Sequence, residues 1–224
     1  MLVKSFGCSF MFGADLSDQI ISTDNGNPGR PSQLSWPALF SKQQGHYHRC
    51  HAHSGSGNLA IADRVLGEVA QDVMALFIIS WTWIDRFDYY INENQQWSTI
   101  RPGSDSALAK TYYQELHNET RDKLASLIAI RTVIDSLRER DFPFIMTYMD
   151  ELLFDRTYNT TPTITYLQDY VKPHMTTFKG QTFLDWSRSR GYPESAGWHP
   201  LEQAHAAAAE LMIQAFGKQN TNDR

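Results

Sequence analysis

Two residues near opposite ends of the chain have the side chains that acyl transfer needs. Ser9 follows Leu2, Val3 and Phe6, which suit a short buried strand, and Gly7 lets the backbone turn sharply just before it. Such a turn leaves the next hydroxyl at the C-terminal edge of a sheet. His199 sits in Trp198-His199-Pro200, ahead of the last helical stretch. An acyl hydrolase needs a hydroxyl nucleophile, a base to take its proton and donors for the tetrahedral oxyanion. Ser9 and His199 supply the first two, and the backbone N–H groups of Ser9 and Gly55 are candidate donors. Each residue also has an ordinary reading, Ser9 as a helix N-cap and His199 as a loop histidine satisfied by water. His205 falls on another face of the last helix and reads as structural. Cys8 has no basic neighbour to lower its pKa and reads as a small buried side chain.

A second cluster, His46-Tyr-His-Arg-Cys-His-Ala-His53, suggests different chemistry. On a strand, His46, His48 and Cys50 fall on one face and His51 and His53 on the other, so a zinc-dependent hydrolase is a rival reading. Ligands adjacent on a flat strand close a tetrahedron awkwardly, which weighs against it. No metal and no other cofactor is expected.

The chain has 224 residues, 42% hydrophobic and 12% aromatic, enough for one domain spanning 1–224 with a sizeable core. A formal charge of −5 argues against a nucleic-acid or anionic-membrane binder. No run approaches the roughly 20 apolar residues needed to span a bilayer. Two cysteines, Cys8 and Cys50, give no disulfide framework. With no signal-peptide pattern at the start, the expectation is a cytoplasmic protein, although one delivered outside by lysis or on a particle would look the same.

Strand-type runs alternate with helical ones. Residues 2–6, 46–53, 74–80 and 142–148 read as strands, and 177–183 is a candidate fifth. Helices are expected over 36–44, 59–73, 106–140, 182–190 and 201–217, with one or two short ones in 150–180 and irregular chain over 17–35 and 88–105. This alternation predicts a three-layer α/β/α domain with a mostly parallel sheet of about five strands, flavodoxin-like in outline. Sites in such sheets form at the carboxyl ends of the strands. The polar stretches near Ser9, Gly55, Thr82 and Asp150 would then share one rim.

With those residues in view, the chain resembles the SGNH (GDSL-like) hydrolase family, in short blocks spread over nearly its whole length. Phe6-Gly7-Cys8-Ser9-Phe10 resembles the first block, with Cys in place of the usual Asp before the serine. Ser54-Gly55-Ser56-Gly57-Asn58 resembles the second, whose glycine gives an oxyanion N–H. Trp198-His199-Pro200 resembles the last block, which carries the catalytic histidine. Two departures stand out. The third block normally offers an asparagine, but the region reads Ser80-Trp81-Thr82-Trp83, so Thr82 is at best a substitute donor. The Trp-Thr pair with Arg86 downstream is similar to a divergent phage and environmental-bacterial branch. The family's acid, three residues before the histidine, is replaced by Ala196. Either Glu194 reaches the imidazole or a backbone carbonyl orients it in a Ser–His dyad. The dyad is favoured, because a carboxylate after Pro193 in a turn is more often simply solvated.

The resemblance implies a serine esterase that removes small acyl groups, such as acetyl, from a carbohydrate or related ester. Its partner would be that ester, not nucleic acid or a membrane. Asn58, Trp81, Trp83, Arg86 and Trp198 are the candidate substrate-lining residues, although Trp81, Trp83, Phe87, Tyr89 and Tyr90 could equally be core. A glycan-binding module of the same fold that has lost activity is a further reading, and the missing asparagine and acid favour it.

Overall fold

The computed structural model describes residues 1–20, 29–93, 95–157 and 159–222. Residues 21–28 of the expected loop lie outside the described residues.

Four short runs of mostly apolar residues form one parallel sheet: β1 (Leu2–Phe6), β2 (Tyr47–Cys50), β3 (Leu76–Trp81) and β6 (Phe144–Tyr148), in the order β2-β1-β3-β6. Every residue of β3 is buried, as expected of a central parallel strand covered on both faces. Period-2 alternation divides its side chains. Phe77, Ile79 and Trp81 join a core that includes Ile61, Ile130, Ile134 and Ile164, whereas Leu76 and Ile78 join one that includes Trp36, Phe40, Ala204 and Met212. Helices α3 (Asn58–Ala70), α5 (Glu119–Glu139) and α6 (Pro162–Val171) cover the first face. Helices α2 (Trp36–Gln43), α7 (Phe183–Ser189) and α8 (Glu202–Asn222) cover the second. The expected α/β/α layering is thus the observed one. Each fully buried aliphatic side chain in these layers contributes roughly 1.5–3 kcal/mol relative to exposure.

The candidate fifth strand is corrected. Met175 makes a single parallel bridge to Met146, where a fifth strand would lie, and Phe178 bridges back to Gln181. Lys179 and Gly180 both take left-handed conformations (φ +57° and +88°), so the chain reverses before a ladder can extend. Residues 88–105 are also corrected: they contain an antiparallel hairpin, β4 (Phe87–Ile91) paired with β5 (Gln96–Ile100). The long expected helix over 106–140 is interrupted. A short α4 (Ala107–Thr111) runs into a π-turn over Tyr112–Leu116, and α5 restarts where the Asn118 side chain accepts the Arg121 N–H at 3.0 Å.

The last helix is tied to the second by a side chain. Ser35 provides no side-chain cap for α2, and instead Nδ1 of the fully buried His205 accepts the Trp36 N–H at 3.0 Å. Burial pulls the His205 imidazole down to about 3, so it stays neutral and accepts. Among the described residues no helix is long and apolar enough to cross a membrane.

Candidate active site

Gly7 at the end of β1 has φ +152°, and a Cβ there would lie 2.5 Å from Met11 Cγ and 3.0 Å from the Ser80 carbonyl. Only glycine allows the chain to pass this close to β3 and begin the one-turn helix α1 (Ser9–Phe12). Cys8 is fully buried in the extended N-cap position, and Ser9 opens the helix almost buried, 7% exposed. The Met11 and Phe12 N–H groups both donate to the Cys8 carbonyl. Those of Ser9 and Phe10 have no acceptor among the described residues, as befits the first turn of a helix.

His199 arrives from the loop before α8. Its Nε2 lies 2.9 Å from Ser9 Oγ, and its ring stands edge-on to Phe10 with centroids 5.2 Å apart. Its Nδ1 lies 2.7 Å from Oδ2 of Asp15. The Ser195 hydroxyl donates to the same carboxylate oxygen at 2.6 Å and accepts the Gly197 and His199 N–H groups at 3.1 and 3.2 Å. Hydrogen bonds from Ser195 and His199 hold the Asp15 carboxyl below its ordinary value of 3.8. An ionised carboxylate only accepts, so Nδ1 carries the imidazole proton, and the Nε2 lone pair faces the serine hydroxyl.

Asp15 was not among the residues singled out from sequence. Closure of α1 by Gly13 in the left-handed region, followed by Asp15 itself at φ +67°, turns the chain so that the carboxylate meets His199 Nδ1. Aspartate tolerates that region better than most residues, and its place six positions after the serine was the available signal. Both readings of the missing acid are corrected. Glu194 forms a two-point ion pair with Arg188, at 2.8 and 3.1 Å. His199 Nδ1 faces a carboxylate, with no backbone carbonyl as its partner. Gly197 allows this packing, since a Cβ there would lie 2.8 Å from Asp15 Oδ2 and 3.2 Å from His199 Nδ1.

On the neighbouring edge, the His53 N–H donates to the Gly7 carbonyl at 3.1 Å and holds the Ser54–Gly57 turn beside the Ser9 loop. The Gly55 N–H has no acceptor among the described residues. Asp88 of the hairpin provides what the N-cap glycine of α3 lacks, accepting the Gly57 and Ala60 N–H groups at 3.0 and 2.9 Å.

Three other expectations are corrected. Asn58 is buried, and it brackets the β3 end: its Oδ1 accepts the Thr82 N–H at 2.8 Å, and its amide donates to the Thr82 carbonyl and Ser126. Its polar atoms are therefore spent on the β3 end and Ser126. Thr82 is fully buried, with its N–H taken by Asn58 and its hydroxyl enclosed without a partner among the described residues, so neither donor is exposed at the surface where a substrate would sit. Trp81 is fully buried in the α3/α5 core. Trp83, Arg86 and Trp198 do stand near the rim. Trp83 packs 5.7 Å from Phe10 and carries the Arg86 guanidinium 4.7 Å above its ring, and Trp198 is 68% exposed next to His199.

The His46–His53 cluster is dispersed. His48 Nε2 meets Ser5 Oγ at 2.8 Å, with burial pulling the imidazole down to about 4. His51 stacks on Phe6 and lies 3.6 Å from Glu68, which also pairs with the buried Lys4 at 2.8 Å. Among the described residues no group of three or more His, Cys, Asp or Glu is placed to hold a metal.

No family model matches the sequence, and no curated protein does. Solved structures do. An acetyl xylan esterase, Est2A, from Butyrivibrio proteoclasticus superposes with a TM-score of 0.54 at 12% identity, over 98% of this chain and 64% of that one. The psychrotrophic esterase EstA from Pseudoalteromonas gives 0.52 at 10% identity, over 98% of both chains. A lipolytic protein of the G-D-S-L family from Veillonella parvula gives 0.52 at 11% identity, over 97% and 98%. The fold is therefore that of the GDSL/SGNH esterases. This chain spans slightly less than two thirds of the length of Est2A.

Proposed function

We propose that this protein is a serine esterase in which Ser9 is the nucleophile, His199 the general base and Asp15 the residue that orients it. The observation that carries this reading is the unbroken hydrogen-bonded line from Ser9 Oγ to His199 Nε2 and from Nδ1 to Asp15 Oδ2, at 2.9 and 2.7 Å. His199 Nε2 takes the serine proton as Oγ attacks the ester carbonyl, and Asp15 stabilises the imidazolium that forms. The free N–H groups of Ser9 and Gly55 are the donors offered to the oxyanion. Collapse of the tetrahedral intermediate expels the alcohol, which takes its proton from His199. Water then releases the acid from the acyl-serine by the same steps in reverse order.

The substrate class we assign is a small acyl ester, acetyl first, on a carbohydrate or similar alcohol. Carbohydrate esterases of the same fold, and the aromatic rim of Trp83 and Trp198, support it. Turnover of p-nitrophenyl acetate, butyrate and octanoate, measured beside O-acetylated sugars, tests the assignment, with the acetate esters expected to be the best substrates. A fluorophosphonate should label Ser9 in the native protein and nothing in Ser9→Ala. Folded protein that neither turns over esters nor takes the label, yet binds glycans, would make this a binding module instead.

A further inference from the structure

Beyond the Gly55 turn lies a cavity of about 470 Å³ between the start of α3 and the hairpin, lined by Arg64, Arg101, Ser54, Ser56 and Trp97 among others. Two guanidinium groups face it, in a chain whose net charge is −5. Arg64 is mostly enclosed. One of its N–H groups reaches Ser56 Oγ at 2.8 Å, and its buried Nε has no partner among the described residues. Arg101 lies against Gly55, where a Cβ would stand 3.6 Å from its Nη1.

Neither arginine forms an ion pair with any carboxylate among the described residues. Asp88 and Asp63 favour the Arg64 charge only from beyond ion-pair distance, and their oxygens are engaged elsewhere. Asp88 accepts from Gly57, Ala60 and Thr99, and Asp63 from the Trp97 indole. A partly desolvated guanidinium with unused donors is costly unless an acceptor completes it. Its planar fork fits the paired oxygens of a carboxylate, sulfate or phosphate.

We propose that this cavity is an anion subsite, and that the natural ester is carried on a sugar bearing a carboxylate, sulfate or phosphate that docks between Arg64 and Arg101. The inference rests on the esterase reading, because Gly55 both lines the cavity and offers the oxyanion N–H. With the carbonyl over Ser9, the sugar extends across Gly55 and brings its anionic group to the guanidinium pair.

The test uses sugars without an ester, so binding is read independently of turnover. Glucuronate, glucose 6-sulfate, glucose 6-phosphate and glucose are titrated calorimetrically into the full chain at low and high salt. At least one anionic sugar should bind far more tightly than glucose, with affinity falling as salt rises. The best anion identifies which of the three groups the substrate carries. Arg101→Gln, an exposed position, should weaken that binding roughly tenfold to a hundredfold, the worth of a charge-assisted hydrogen bond. Arg140→Gln, on the far surface beside Asp72, should leave it unchanged. Anionic sugars that bind no better than glucose, or that ignore Arg101→Gln, overturn the subsite, and p-nitrophenyl acetate turnover then still stands for the esterase. Tight anion binding without turnover or fluorophosphonate labelling overturns both the esterase and the subsite's role in substrate binding.

Discussion

Asp15 Oδ2 lies 2.7 Å from His199 Nδ1, although the two residues are 184 positions apart in the chain. One comes from the turn that closes the helix opened by Ser9, the other from the loop before the last helix. The Ser195 hydroxyl fixes the same carboxylate oxygen from a third direction. The carboxylate that meets the imidazole thus comes from the loop that follows Ser9 and not from the loop that carries His199.

Asp15→Asn should lower kcat on p-nitrophenyl acetate by about 10³–10⁴-fold, the loss that follows when an orienting carboxylate becomes an amide and the wrong tautomer is favoured. Glu194→Gln should cost only a few-fold, because its partner is Arg188. Steady-state kinetics on both variants, with circular dichroism as a folding check, distinguishes them. The reverse ranking would reinstate Glu194.

Gly197→Ala places a methyl 2.8 Å from Asp15 Oδ2 and must push the carboxylate or the imidazole aside. Turnover should fall by roughly 10²-fold, in line with the cost of small misplacements at a reacting centre. The melting temperature should barely change, because the loop is exposed. Near-normal kcat would show that the loop yields freely.

Asn58→Ala removes hydrogen bonds to both backbone groups of Thr82 and to Ser126. A buried N–H and C=O are left without partners, at a cost of about 1–3 kcal/mol each. Chemical denaturation should show a loss of at least about 2 kcal/mol, with catalysis largely kept in the folded fraction. A change within experimental error would mean that water replaces the bracket.

Stability should fall on the acid side for a definable reason. His205 titrates near 3 in the fold against an ordinary 6.5, and His48 near 4, so the unfolded chain binds protons that the native one refuses. Their contribution is fully present above 6.5 and is lost as pH falls toward the folded values. His205→Gln keeps a neutral acceptor for the Trp36 N–H and should flatten this slope. Asp15, depressed below 3.8, should act in the same direction only at lower pH. Melting temperatures of the native protein and of His205→Gln across the acid range check this. An unchanged slope in His205→Gln would refute the assignment.

The sequence by itself determined the layered α/β class, because an almost wholly apolar run such as 74–80 flanked by helical periods has few other ways to be buried. It also singled out Ser9 and His199, whose side chains the fold brings to 2.9 Å, since Gly7 announces a sharp turn after the first strand and the final loop carries a histidine. Local signals for the hairpin and for the restart of the helix at Asn118 were present but weak beside the periodicity around them. Tertiary structure alone decided which carboxylate meets His199, because that depends on two left-handed residues redirecting the chain after α1. It also decided that Asn58 is spent on the Thr82 backbone, and that Arg64 and Arg101, from a helix and a hairpin end, line one cavity. Periodicity reports which face of an element is buried. It does not report what lies opposite, and a site is made of groups that lie opposite one another.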